Sequence, residues 1–167
     1  MLRKGTLLAK ELHPDFERVL LSEDDLRAII ERLGAQITVD YQDKNPLVVC
    51  ILKGALFFMA DLTRNIDCDI EIDFMRAKSY SATQSTGTVR IITDLSINIE
   101  GRHVLLVEDI LDTGTTLSGL VKLLQQRNPA SIKIATLFLK DLPNPERPIK
   151  ADYVGALIPN EFIVGYG

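Results

Sequence analysis

The chain has only two cysteines in 167 residues, Cys50 inside the apolar run Leu47 to Leu52 and Cys68 in a short polar stretch. Two such residues make no disulfide framework, which excludes the small cystine-stapled domains of secreted proteins. Positive charge is also scarce, with 19 Lys and Arg against 23 Asp and Glu and a formal net charge of -4. Nucleic-acid surfaces concentrate basic side chains, so binding nucleic acid is not expected as the main role. No uncharged apolar stretch approaches the length of a membrane span. Met1 to Leu12 carries Arg3, Lys4, Lys10 and Glu11 around a very short apolar piece, so it lacks the core of a signal peptide. A reducing, cytoplasmic compartment is the expectation. His13 and His103 are expected to be ordinary residues, not metal ligands. There is no internal repeat.

What is present fits a folded domain. The composition is 46% hydrophobic and 25% charged, and residues 1–167 are enough for one domain with a continuous core. Ser22 before Glu23, Asp24 and Asp25 marks a helix start, since a hydroxyl caps free amides and early carboxylates suit the positive end of the dipole. Leu26, Ile29, Ile30, Leu33 and Ile37 then share one helical face. Leu47 to Leu52 and Val104 to Val107 are unbroken apolar runs of strand length, suited to strands covered on both faces. Between them, Ala55 to Asn65 reads as a helix with Leu56, Met59 and Ala60 inward, and Ile70 to Met75 as a half-exposed strand alternating apolar and acidic residues.

A polar stretch, Ser79 to Thr88, leads to a strand over Val89 to Ile92. Thr115 to Gln126 is expected as a helix, Ile132 to Leu139 as a strand, and Tyr153 to Leu157 and Phe162 to Val164 as short strands. The Pro-punctuated loop Asp141 to Lys150 contains Arg147, expected to be solvated. Strands alternating with helices imply an α/β fold with a mainly parallel sheet.

The most informative segment follows Val107: Glu108, Asp109, Ile110, Leu111, Asp112, Thr113, Gly114, Thr115, Thr116, then a helix. In a parallel sheet ligands gather at the carboxyl ends of strands. Amides around Thr113 to Thr116, opened by Gly114, face the space before a helix amino terminus and suit a phosphate. The neighbouring carboxylates would repel a bare phosphate, so Glu108 and Asp109 need a partner that donates hydrogen bonds or carries positive charge. A sugar with vicinal hydroxyls, or a metal ion, meets both demands. A P-loop does not fit, because its G-x-x-x-x-G-K-[ST] spacing and its lysine are missing.

Val104 to Thr116 resembles the phosphoribosyl pyrophosphate (PRPP) motif of the type I phosphoribosyltransferases: an apolar strand, two acids, two apolar residues, then D-T-G and hydroxyl residues. From about Ser22 onward the chain is similar to the hypoxanthine-guanine branch of that family. The resemblance implies the type I fold, a mainly parallel central sheet flanked by helices with a small hood built from the terminal segments. It implies a magnesium-dependent transfer of phosphoribosyl from PRPP to a 6-oxopurine, and a homodimer or homotetramer.

Residue by residue, it implies that Glu108 and Asp109 hold the ribose and the magnesium ion, and that Asp112, Thr113, Gly114, Thr115 and Thr116 hold the 5-phosphate. Asp112 would also act catalytically on a purine ring proton. Leu52-Lys53-Gly54 is similar to the pyrophosphate loop, with a cis peptide before Lys53. Lys78-Ser79-Tyr80 resembles the opening of the mobile catalytic loop, with Ser79 and Tyr80 in it. Lys140 matches the lysine that reads the 6-oxo group, and Phe162 and Ile163 match the residues lining the base. In the family a magnesium-binding aspartate and a pyrophosphate-binding arginine lie past the position of Gly167, so the resemblance covers the site only up to that residue. The alternative is a regulator on the same fold that senses nucleotides or PRPP without chemistry; it would want a basic face or a nucleic-acid-binding appendage.

Overall fold

The computed structural model describes residue 14 and residues 17–80, 88–143 and 147–166. Helix α1 spans Glu23–Tyr41. Ser22 caps it through a reciprocal box: its Oγ accepts from the Asp25 amide at 3.2 Å, and the Asp25 carboxylate accepts from the Ser22 amide at 2.9 Å. A cap of this kind is worth about 1 kcal/mol, enough to fix where the helix begins. The buried stripe is Ile30, Leu33, Gly34, Ile37 and Tyr41.

The chain continues through β1 (Leu47–Ile51), α2 (Leu56–Arg64), β2 (Glu71–Tyr80), β3 (Thr88–Thr93), β4 (His103–Leu111), α3 (Thr115–Gln125), β5 (Ser131–Asp141) and β6 (Tyr153–Pro159). The six strands form one sheet in the order β3-β2-β1-β4-β5-β6. All pairs are parallel except β2 with β3. This is the mixed α/β sheet that the alternation of elements implied.

Two apolar clusters cover the two faces. Val48, Cys50, Leu105 and Val107 pack with α1 and α2, whereas Leu47, Val49, Val104, Leu106 and Ile134 pack with Leu117, Leu120, Val121 and Leu124 of α3. Successive side chains of β1 and β4 thus enter opposite cores, which is why both strands read as unbroken apolar runs.

Several elements differ from the sequence reading. Helix α2 buries Phe58, Met59 and Leu62, while Leu56 and Ala60 point outward. In β2 the expected alternation is reversed: Asp73 is 6% exposed and Ile72 is 51% exposed. The Asp73 carboxylate accepts from the amides of Ser96 at 2.8 Å, Ile97 at 3.1 Å and Phe74 at 2.7 Å. Those bonds satisfy a buried charge that would otherwise be costly, and they pin the loop after β3 beneath the sheet. Ser79 and Tyr80 belong to β2 and pair with Val89 and Thr88 of β3, so the polar stretch begins later than expected. Residues 162–164 form no strand. Both cysteines are free, and no described helix is long and apolar enough to cross a membrane.

The two ends of the described chain meet at the surface, where Arg18 Nη2 donates to Glu161 Oε2 at 2.7 Å. Tyr166 donates its hydroxyl to the Asp61 carboxylate of α2. Burial first, and then that bond, raises the Tyr166 phenol above its ordinary pKa.

Candidate active site

Because β1, β2, β4, β5 and β6 run parallel, their carboxyl ends share one edge of the sheet. Strand order reverses between β1 and β4, since the chain moves from β1 outward to β2 and later returns to the other side of β1. A crevice at such a switch point is where an open α/β sheet binds ligands. Lys53 and Gly54 leave β1 there, and Ser79 and Tyr80 end β2. Glu108 to Leu111 end β4, Lys140 is next to last in β5, and Phe162 follows the end of β6 by three residues. The proposed mobile loop beyond Tyr80 lies in residues 81–87, outside the described residues, as do the side chains of Ser79 and Tyr80.

The two adjacent acids sit inside β4, not after it: Glu108 pairs with Thr136 of β5, and the ladder continues to Leu111 with Leu139. Strand β1 has already turned away at Ile51, which leaves room beside the acids. Gly54 fills that room, and a Cβ added to it would fall onto the Asp109 carboxylate. The Leu52-Lys53 peptide is cis, as the family resemblance implied. Desolvation, and then the Asp109 carboxylate beside it, pushes the Glu108 carboxyl up to about 9. Burial and the same two acids push the Cys50 thiol up to about 11. Among the described residues, neither acid has a cationic partner within ion-pair distance, and Lys53 is exposed with no carboxylate partner.

No group of three or more His, Cys, Asp or Glu side chains among the described residues could cage a metal. Two neighbouring carboxylates fit a magnesium ion that arrives on a substrate's phosphates, because that ion keeps most of its ligands as water and phosphate oxygen.

The phosphate side of the site is built from backbone. Helix α1 consumes its own first amides with Ser22, but the N-cap of α3 is Gly114, which has φ 74° and no side chain with which to cap. The first amides of α3 are therefore left for an outside anion, with the helix dipole favouring it. A Cβ at Gly114 would lie 2.9 Å from Ile149 Cγ2, so glycine is needed there for both conformation and space. Thr115 Oγ1 lies 3.3 Å from Thr113 Oγ1, which places two hydroxyls beside the amides.

The other side of the site joins β4 to β5. Lys140, expected just after β5, lies within it and pairs with Ile158 of β6. Its Nζ approaches Asp112 Oδ2 to 3.4 Å, with the Lys140 side chain 17% exposed and that of Asp112 51% exposed. An ion pair this open is worth at most about 1 kcal/mol, weak enough for a hydrogen-bonding ligand to displace. Arg147 is not solvated as expected: its Nε donates to the Asp112 carbonyl at 2.6 Å and its Nη2 donates to the Lys140 carbonyl. No spacing rule could have found it, because both partners are backbone atoms reached from a loop. Phe162 is 92% exposed, so it does not serve the core. Ile163 is half-buried against the α1 and α2 side of the core.

The phosphoribosyl transferase domain model matches residues 20–167. The chain is 51% identical over 158 residues to a hypoxanthine-guanine phosphoribosyltransferase of Staphylococcus epidermidis, covering 93% of this chain and 87% of that protein. It is 48% identical over 153 residues to the hypoxanthine-guanine-xanthine phosphoribosyltransferase of Tritrichomonas foetus, covering 92% and 84%. A bifunctional TilS/HprT protein of Listeria innocua is 49% identical over 95% of this chain, which spans 24% of that longer protein. Among solved structures, a hypoxanthine phosphoribosyltransferase of Staphylococcus aureus superposes with a TM-score of 0.87 at 50% identity, covering 93% of this chain and 85% of that one. The chain belongs to the phosphoribosyltransferase family, and within it to the hypoxanthine-guanine branch.

Proposed function

We propose that the chain transfers the 5-phosphoribosyl group from PRPP to hypoxanthine, and to guanine, releasing pyrophosphate and forming the purine mononucleotide in salvage. The observation that carries this reading is the strand end itself: two carboxylates, an uncapped helix start and the Asp112–Lys140 pair lie along one short path. In this reading the amides and hydroxyls of Thr113 to Thr116 hold the 5-phosphate, and Glu108 and Asp109 accept hydrogen bonds from the ribose hydroxyls. Lys53 and Gly54 line the pyrophosphate. Magnesium carried on the pyrophosphate would add positive charge at the leaving group, held by Glu108 and Asp109 partly through ribose hydroxyls and water.

As the bond from the anomeric carbon to pyrophosphate breaks, positive charge develops at that carbon, and water must be kept away for the base to capture it. The loop opened by Ser79 and Tyr80 serves as the cover. Lys140 donates to the 6-oxo oxygen, Phe162 stacks on the ring with Ile163 at its margin, and Asp112 takes up or stabilises the ring proton as the base nitrogen attacks. The regulator alternative has no support among the matched relatives, which are named as transferases. Pyrophosphate release that requires both PRPP and hypoxanthine tests the reading; release with PRPP alone would contradict it.

The raised Glu108 carboxyl gives this reading a pH signature. Its pKa in the free folded protein, about 9, lies above the ordinary value, so the folded protein holds a proton at pH 7 that the unfolded chain has lost. A cation that engages the carboxylate displaces that proton. Binding of magnesium PRPP at pH 7 should therefore release close to one proton, and affinity should rise with pH toward 9. Calorimetry in two buffers of different ionisation heat measures the release; its absence would remove Glu108 from metal binding.

Self-association in a reducing cytoplasm completes the proposal. Phe74 pairs in register with Cys50 and Ile72 with Val48, so both exposed large apolar side chains of β2 lie on the sheet face that α2 covers. Leu56 and Phe57 of α2 are exposed as well. These four large apolar side chains suit burial against a second copy. Sedimentation velocity should show a dimer or larger species that Phe74→Asp shifts toward monomer. A monomeric wild-type protein would contradict this.

A further inference from the structure

The β4–β5 ladder ends at the pair Leu111 and Leu139. The residue after each is Asp112, just past β4, and Lys140, still within β5, and Arg147 donates to the carbonyl of each. Its guanidinium thus takes the place of one further rung where the strands part. The same two residues carry the carboxylate and the ammonium that face each other at 3.4 Å. Backbone position sets side-chain position here, because both side chains leave backbone atoms next to the carbonyls that Arg147 holds.

We infer that Arg147 is a positioning residue that sets the spacing of the Asp112 carboxylate and the Lys140 ammonium, and so the fit of the purine between them. This rests on the reading of Asp112 and Lys140 as the base-facing pair. A planar fork with several fixed donors can bridge two carbonyls, which a single ammonium does less well. The same segment borders the start of α3, since a Cβ on Gly114 would lie 2.9 Å from Ile149 Cγ2 and 4.0 Å from the Cβ of Arg147. That packing is hydrophobic and does not depend on the guanidinium, so loss of the fork should touch the purine side first.

The test is steady-state kinetics of Arg147→Ala and Arg147→Lys in the full chain, with PRPP and hypoxanthine varied in turn. Two charge-assisted hydrogen bonds support an expected rise in the hypoxanthine KM of roughly tenfold or more for alanine. The PRPP KM should stay within about twofold, and lysine should fall between alanine and wild type. A purely structural role would lower the melting temperature without separating the two substrates. Alanine kinetics within about twofold of wild type for hypoxanthine, or an equal rise for both substrates, would overturn the inference. Should the alanine variant not fold, the lysine variant decides, an unchanged hypoxanthine KM sinking the idea. A wild-type chain that makes no nucleotide from hypoxanthine would instead overturn the reading beneath it, which keeps the two failures distinct.

Discussion

Replacing Asp112 with alanine is expected to lower turnover by about two to four orders of magnitude, the usual contribution of a positioned general base, while PRPP binding changes little. The substitution isolates the carboxylate, because Arg147 holds the Asp112 backbone carbonyl and alanine keeps that atom. The adjoining phosphate nest is built from amides, which alanine also leaves intact. Rapid-quench measurement of the chemical step, beside an equilibrium titration with PRPP, separates the two effects. Turnover close to wild type would remove Asp112 from the chemistry.

Lys140→Ala should act on choice of base more than on rate. The ammonium is a donor only, so it can bond a 6-oxo oxygen and has nothing to offer a 6-amino group. Loss of a charge-assisted bond is worth about 1.5 to 3 kcal/mol, which corresponds to a fall in kcat/KM for hypoxanthine of roughly 10- to 100-fold. The ratio of hypoxanthine to adenine use should shrink by the same factor. Strand β5 should survive, since the Lys140 backbone remains in the ladder with Ile158. An equal loss with every base would show that Lys140 supports the site without reading the purine.

Much of this was legible in the sequence because its signals are local. The Ser22 box, the two apolar strand runs and the D-T-G turn before α3 each depend on neighbours within a few residues, and all three appear where expected. The strand ends were not legible. Glu108, Asp109 and Lys140 lie inside β4 and β5 although they break the apolar runs, because a strand that leaves the core to form a binding edge keeps its ladder and loses its apolar pattern. Asp73 reads as the outward residue of an alternating strand, yet it faces inward because distant amides at Ser96 and Ile97 bond it. Helix α2 could be phased two ways, and Phe58 with Leu62 prevails over Leu56 with Ala60. Arg147 was invisible because a side chain that binds two carbonyls leaves no trace in residue type or spacing.

In the proposed function one strand end selects a phosphoribosyl donor and the neighbouring strand selects a 6-oxopurine. Incubating the purified chain with PRPP and magnesium and, in parallel, hypoxanthine, guanine, xanthine or adenine, then measuring nucleotide formed, tests it most directly. The mononucleotide should form rapidly from hypoxanthine or guanine and little should form from adenine; no nucleotide from any base, or adenine used as well as hypoxanthine, would rule this function out.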